Sequence, residues 1–157
     1  MIRKRALVDF INKYNLKGIV EAVKVKYDRQ TLATKFISEN KNLLGMVSHS
    51  DLNVHDSAFE FGIYNTTNLL KILNIMSESV NTKFNFSKSI SENPMSLEIS
   101  DDSYSSVYHL ADLVVIENAP VLKEIPPPDM TLNFGPSFYS KLKRAKSALN
   151  DTSKMAF

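Results

Sequence analysis

The side chains best suited to chemistry in this sequence are its histidines and two adjacent aspartates. His49 and His55 lie six residues apart in a polar segment that also contains Asp51 and Asp56, a composition that suits a metal site. Their spacing, however, matches no standard ligand pattern. Histidines in a polar loop are far more often bystanders than ligands, so the sequence favours a loop without a metal.

Asp101 and Asp102 have the composition of a general acid/base pair. Neighbouring residues in a strand point to opposite faces, and in a turn they are usually solvated, so a tight turn is the favoured interpretation. The sequence also lacks the G-x-S-x-G, Walker and G-x-G-x-x-G motifs. We therefore predict a protein that is not an enzyme, with no catalytic residue, no metal and no cofactor.

Charge is segregated along the chain. Residues 1–17 contain five basic residues against Asp9, and residues 137–149 contain four basic residues and no acid. The remainder holds ten basic and sixteen acidic residues, so the net charge of +2 conceals two basic segments. A polyanion would approach such segments and be repelled by the rest of the surface. This pattern predicts basic helices combined with acidic strands and loops.

Three segments have the apolar periodicity of amphipathic helices. They cover residues 2–15, 66–76 and 137–149. Asn65 or Thr66 is a suitable N-cap for the second helix, since both side chains can accept a hydrogen bond from its first turn.

Short runs of alternating apolar and polar residues predict seven strands, which together with the helices indicate an α+β fold. The strands cover residues 19–27, 31–38, 43–48, 58–64, 82–86, 95–100 and 105–110. Prolines 126–128 then enforce an extended connector, and residues 131–134 predict one more short strand. The elements after the connector cannot bury their own apolar faces. They are either packed on the first domain or the start of an incomplete second one, and we favour the second alternative.

Each predicted helix presents a basic face when its apolar face is packed on a sheet. Arg5 points outward and Lys13 lies toward the side of the first helix, Lys71 lies opposite the apolar residues of the second, and Lys143 and Arg144 point away from the core on the third. On one helix alone, such residues are best explained as solvated side chains. The charge segregation favours helices that face DNA and contact phosphates without reading the base sequence.

Two segments, FGIYNTTNLLKIL (residues 61–73) and YHLADLVVIENAP (residues 108–120), resemble parts of the DNA polymerase sliding clamps of T-even-type and related marine phages. The proline-bearing connector that runs into TLNF and a new helix extends the resemblance. The order of elements matches over most of the chain. In that family each domain has antiparallel sheets with two helices on one face. The helices line a central hole, and two domains per subunit close into a ring that is usually a trimer in phages.

The resemblance implies a domain organisation and a set of DNA-facing residues. Residues 1–120 would form a first clamp domain, residues 121–130 the interdomain connector and residues 131–157 the start of an incomplete second domain. Its implied partners are non-specific double-stranded DNA, a DNA polymerase, a clamp loader and further copies of the chain. The implied residues lining the hole are Arg3, Lys4, Arg5, Lys13, Lys71, Lys143 and Arg144.

The remaining composition predicts a cytoplasmic protein, in an infected host cell if the chain comes from a phage. Cysteine is absent, and no apolar run approaches the roughly 20 residues that cross a membrane. The alternative to a processivity factor is a small β-rich interaction or assembly domain whose basic helices bind an acidic partner. The fold separates the two, because long antiparallel strands with two helices on one face favour the clamp and a closed barrel or sandwich excludes it. For the DNA surface we expect weak binding that fades with salt.

Overall fold

The chain divides into two structural units, Met1–Val121 and Leu122–Phe157. A computed structural model describes residues 4–50, 58–77, 81–86, 93–120, 127, 129, 131 and 133–148. The segment with Asp51, His55 and Asp56 lies outside these residues, as do Arg3 and most of the predicted connector.

Two helices of the first unit have one buried and one exposed face. Helix α1 spans Lys4–Asn15 and buries an apolar stripe, and helix α2 spans Thr66–Ile75 and buries Leu69 and Leu73. The side chain of Asn65 accepts a hydrogen bond from the Asn68 amide at 2.8 Å, which confirms Asn65 as the N-cap of α2. The helices predicted over residues 2–15 and 66–76 are confirmed in their described parts.

Seven antiparallel strands form two sheets in this unit. Strands β1 (Val23–Asp28), β2 (Thr31–Ile37), β3 (Leu44–His49) and β4 (Phe59–Ile63) form the first sheet in the order β3-β2-β1-β4. Strands β5 (Asn81–Phe86), β6 (Pro94–Ser100) and β7 (Ser105–His109) form the second sheet in chain order.

The core lies between the helices and the first sheet and continues onto the second sheet. The alternation predicted for the strand before α2 is confirmed, because Phe59, Phe61 and Ile63 are buried while Glu60 is exposed. Aromatic rings join the two sheets, with the centroids of Phe59 and Phe84 5.0 Å apart and those of Phe61 and Phe84 4.9 Å apart. One continuous core therefore stabilises both sheets and both helices.

The segment after β7 is tied to the edge of the first sheet. Ala111 pairs with Gly62 in an isolated antiparallel bridge, and its amide donates to the Gly62 carbonyl at 2.9 Å. A short 3₁₀ turn, Leu113–Val115, follows, and the Asp112 side chain accepts from the Val114 amide at 3.0 Å. Ile116 is buried at the end of this turn.

The second unit contains helix α3, Pro136–Ala148, close to the prediction for residues 137–149. The ring of Phe134 stacks on that of Phe138, with centroids 4.3 Å apart. The strand predicted over residues 131–134 is wrong at its described positions, since Thr131, Asn133 and Phe134 are not in a strand. Phe134 instead packs on α3, the helix that follows it.

Candidate nucleic-acid interface

Helices α1 and α2 lie side by side and run in opposite directions. Near the C-terminal end of α1, the Tyr14 hydroxyl is 3.2 Å from the Thr66 hydroxyl at the start of α2. At the other end, Lys4 Nζ donates to the Met76 carbonyl at 2.7 Å. Two neighbouring helices held at both ends offer one broad polar surface to solvent.

This surface, which we call the helix layer, consists of the exposed side chains of α1 and α2. It carries three basic residues, Arg5, Lys13 and Lys71, and a single acid, Asp9. Its other exposed polar residues are Asn12, Asn68 and Asn74. Phosphate groups would meet cations and neutral amides here, with little local repulsion.

The predicted DNA-facing residues fall into three groups in the structure. Arg5, Lys13 and Lys71 are exposed on the helix layer. Lys4 is half-buried and holds the end of α2 through its hydrogen bond to the Met76 carbonyl, so its side chain does not stand out into solvent as the others do.

Lys143 and Arg144 form the third group, on α3 of the second unit. Both are exposed, and Lys143 Nζ lies 4.8 Å from the centroid of the Tyr139 ring in a cation–π contact. The predicted apolar stripe of this helix is visible in Phe138 and Leu142, the two half-buried residues of α3. Lys141 and Lys146 are also exposed, so α3 has a basic outer face in its own right.

The expectation of acidic strands is wrong for the first sheet. Lys24 and Lys35 lie directly opposite each other on β1 and β2, and Lys26 lies opposite Glu60. These side chains alternate with the buried ones and therefore point away from the helices. The excess of acid counted along the chain lies partly in turns and loops, where Glu39, Asp101 and Asp102 are exposed or half-exposed. That excess therefore does not make the strands of this sheet acidic.

Asp101 is a turn residue, which confirms the favoured interpretation of the aspartate pair. Its carboxylate accepts hydrogen bonds from the backbone amides of Ser77 at 2.7 Å and of Ser103 and Tyr104 at 2.8 Å each. These three bonds, with the Ser77 amide contributing most, lower the pKa of Asp101 below its ordinary value. An ionised carboxylate that accepts three amide hydrogens ties β6, β7 and the end of α2 together.

Across the described residues, no group of three or more His, Asp or Glu side chains is placed to hold a metal ion. In this part of the chain, no helix has the length and apolar character needed to cross a bilayer.

Sequence reasoning missed Glu21, which joins the two helices. Its carboxylate accepts from the Thr67 amide at 2.9 Å and also from the Thr67 hydroxyl, and Asn15 Nδ2 approaches it at 3.4 Å. The Glu21 carbonyl accepts from the amide and the hydroxyl of Thr66. Sequence periodicity does not predict the contacts with Thr66 and Thr67, because these residues are about 46 positions away from Glu21.

No family model matches this chain, and no curated protein matches its sequence. Solved structures do match its fold. The crystal structure of the PCNA2–PCNA3 complex from Sulfolobus tokodaii has a TM-score of 0.50 and 11% identity, over 85% of this chain and 50% of that one. The DNA polymerase III subunit beta from Pseudomonas aeruginosa has a TM-score of 0.50 and 17% identity, over 93% of this chain and 37% of that one.

These similarities establish the fold class. The chain has the α+β clamp fold, with antiparallel sheets and helices, as the resemblance implied. It spans half or less of the length of the two solved chains it matches.

Proposed function

We propose that this chain is a sliding-clamp processivity factor, a non-enzymatic scaffold that encircles double-stranded DNA during replication. The observation that carries the proposal is the helix layer on a clamp fold. Arg5, Lys13 and Lys71 project from two adjacent helices on which Asp9 is the one exposed acid among the described residues. A ring that slides needs phosphate contacts without base contacts, and flexible basic side chains provide them.

Ring formation requires self-association, and two sheet edges that are unpaired among the described residues support it. Strand β3 ends the first sheet and strand β7 ends the second, and neither contains a lysine, an acid or a proline. Edge strands that carry such residues resist pairing with another chain, whereas uncharged edges are templates for it. We propose that edges of this type join copies of the chain, as a trimer if the family resemblance to phage clamps holds.

The domain organisation belongs to the same proposal. Residues 1–120 serve as a first clamp domain, residues 121–130 as the connector and residues 131–157 as the start of a second domain. Lys143 and Arg144, on the basic face of α3, are further proposed phosphate contacts. A DNA polymerase and a clamp loader are the expected protein partners, in the cytoplasm of an infected cell if the source is a phage.

Charge reversal on the helix layer tests the proposal directly. Binding of a fluorescent duplex is measured against salt concentration for the double variant Lys13→Glu, Lys71→Glu and for Lys143→Glu, Arg144→Glu. We expect weak binding by the native chain that falls as salt rises, and a further loss in both variants. The control is Arg29→Glu, Lys35→Glu, which changes the net charge equally at exposed residues outside the helices.

The control variant should bind DNA almost as the native chain does. An equal loss in all three variants would mean that net charge, not the helix layer, drives binding. Absence of binding by the native chain even at low salt would favour the alternative, an interaction domain whose basic helices bind an acidic protein.

A further inference from the structure

Helix α2 lacks the charges that would complement its own dipole. Its first turn contains no acidic residue and its last turn no basic residue. A helix carries a partial positive charge at its N-terminus and a partial negative charge at its C-terminus, so acids at the first end and bases at the second are stabilising. In α2, both ends depend on residues outside the helix.

Lys4 supplies the missing base. Its ammonium group donates to the carbonyl of Met76, the C-cap of α2, at 2.7 Å. Lys4 itself begins α1, where a cation opposes the helix dipole and no acid in the first turn compensates it. Its position is unfavourable for its own helix and favourable for the neighbour, whose terminal carbonyl it satisfies.

Glu21 supplies the missing acid at the opposite end. The carboxylate accepts from the Thr67 amide in the first turn of α2, while the Asn15 side chain holds it to the end of α1. The Glu21 backbone carbonyl also accepts from the Thr66 hydroxyl at 2.8 Å. Lys4 at the start of α1 and Glu21, six residues after its last residue, thus hold the two ends of α2.

We propose that Lys4 and Glu21 are positioning residues for the DNA-facing helix layer and that Lys4 is not a phosphate contact. They hold α2 in a fixed register beside α1, so that Lys71 joins Arg5 and Lys13 on one surface. This inference rests on the proposed function, and it replaces the role of lining the hole that the resemblance implied for Lys4.

The salt dependence of DNA binding distinguishes a positioning lysine from a contacting one. Removing a phosphate contact lowers the slope of log affinity against log salt by about 1. We therefore expect Lys13→Met to reduce the slope by about 1. Lys4→Met, which keeps the apolar stem, should weaken binding by displacing Lys71. In a Lys71→Met background, where that displacement has no effect on binding, Lys4→Met should leave the slope unchanged, because it removes no phosphate contact. Lys4→Arg, which retains donors for the Met76 carbonyl, should restore the affinity. In the Lys71→Met background, a slope lowered by Lys4→Met as much as by Lys13→Met would overturn the inference.

Hydrogen exchange provides a second measurement that does not depend on DNA. Glu21→Gln should accelerate amide exchange in the first turn of α2, at Thr67 above all, and Lys4→Met should accelerate it in the last turn. Lys13→Met is the control and should change neither end. Unchanged exchange in both positioning variants would refute the inference and leave the proposed function intact. Absence of DNA binding by the native chain would refute the proposed function and leave the contacts of Lys4 and Glu21 with α2 intact.

Discussion

Gly62 is a buried position at which one added methyl group would collide with backbone. A Cβ atom built there would lie 2.6 Å from the Ala111 carbonyl oxygen and 2.7 Å from Ile116 Cδ1, whereas ordinary contacts begin at 3.4 Å. The first neighbour is backbone and is held by the Ala111 amide bond to the Gly62 carbonyl. It cannot move away without breaking the bridge between β4 and the segment after β7.

The expected cost of Gly62→Ala follows from these contacts. Overpacking a buried site costs about 1–3 kcal/mol, and loss of the bridging hydrogen bond adds about 1 kcal/mol. Alanine has a lower backbone entropy than glycine in the unfolded chain, which offsets about 0.4–1 kcal/mol of this loss of stability. We expect a net loss of about 2 kcal/mol in the free energy of unfolding, which is roughly 8 °C in the melting midpoint of a unit of this size.

Chemical unfolding of Gly62→Ala, Ile116→Val and the double variant measures this cost and its origin. Ile116→Val removes the Cδ1 atom that the new methyl group would meet, and alone it should cost about 0.5–1.5 kcal/mol. The double variant should be more stable than the sum of the single losses predicts, by about 1 kcal/mol. A Gly62→Ala protein within about 0.5 kcal/mol of the native one, or single losses that simply add, would show that the Ala111–Ile116 segment does not pack on β4 as described.

Two further predictions concern pH. Burial raises the pKa of Tyr14 well above its ordinary value of 10.0, against the opposing effect of its hydrogen bond with Thr66, so its contribution to stability should be lost as pH rises above about 10. In alkaline unfolding titrations, Tyr14→Phe should flatten this decline. The amide of Ser77 and two turn amides lower the pKa of Asp101 below 3.8, so its contribution should be lost as pH falls below about 4. Asp101→Asn should flatten the acid side of the stability profile, and an unchanged profile in either variant would contradict the assignment.

Much of the fold follows from local periodicity, and the exceptions have identifiable physical causes. The strand predicted from residue 19 begins only at Val23 because the residues before it have other partners. The Glu21 carbonyl accepts from the amide and hydroxyl of Thr66 instead of joining the ladder between strands. An alternating pattern cannot reveal that its first residues are committed to a helix far along the chain.

The candidate site shows the same division between local and long-range information. The outward direction of Arg5, Lys13 and Lys71 is a consequence of the helical repeat and could be predicted. The role of Lys4 could not, because the carbonyl it binds is 72 residues away. The lysines on β1 and β2 were readable in the sequence, but their concentration on one face depends on strand pairing, which places Lys24 opposite Lys35.

Basic residues lie both on the helix layer and on the outer face of the first sheet, so net charge cannot identify the DNA-facing surface. The two surfaces differ in how many acidic residues lie near their basic residues. On the sheet face, Glu60 lies opposite Lys26, and nearby Glu117 forms an ion pair with Lys41 at 2.9 Å. On the helix layer, Asp9 is the single acid among the described exposed residues. Since phosphate binding depends on the potential within about 10 Å of the surface at moderate salt, this difference supports the proposal that DNA contacts the helix layer.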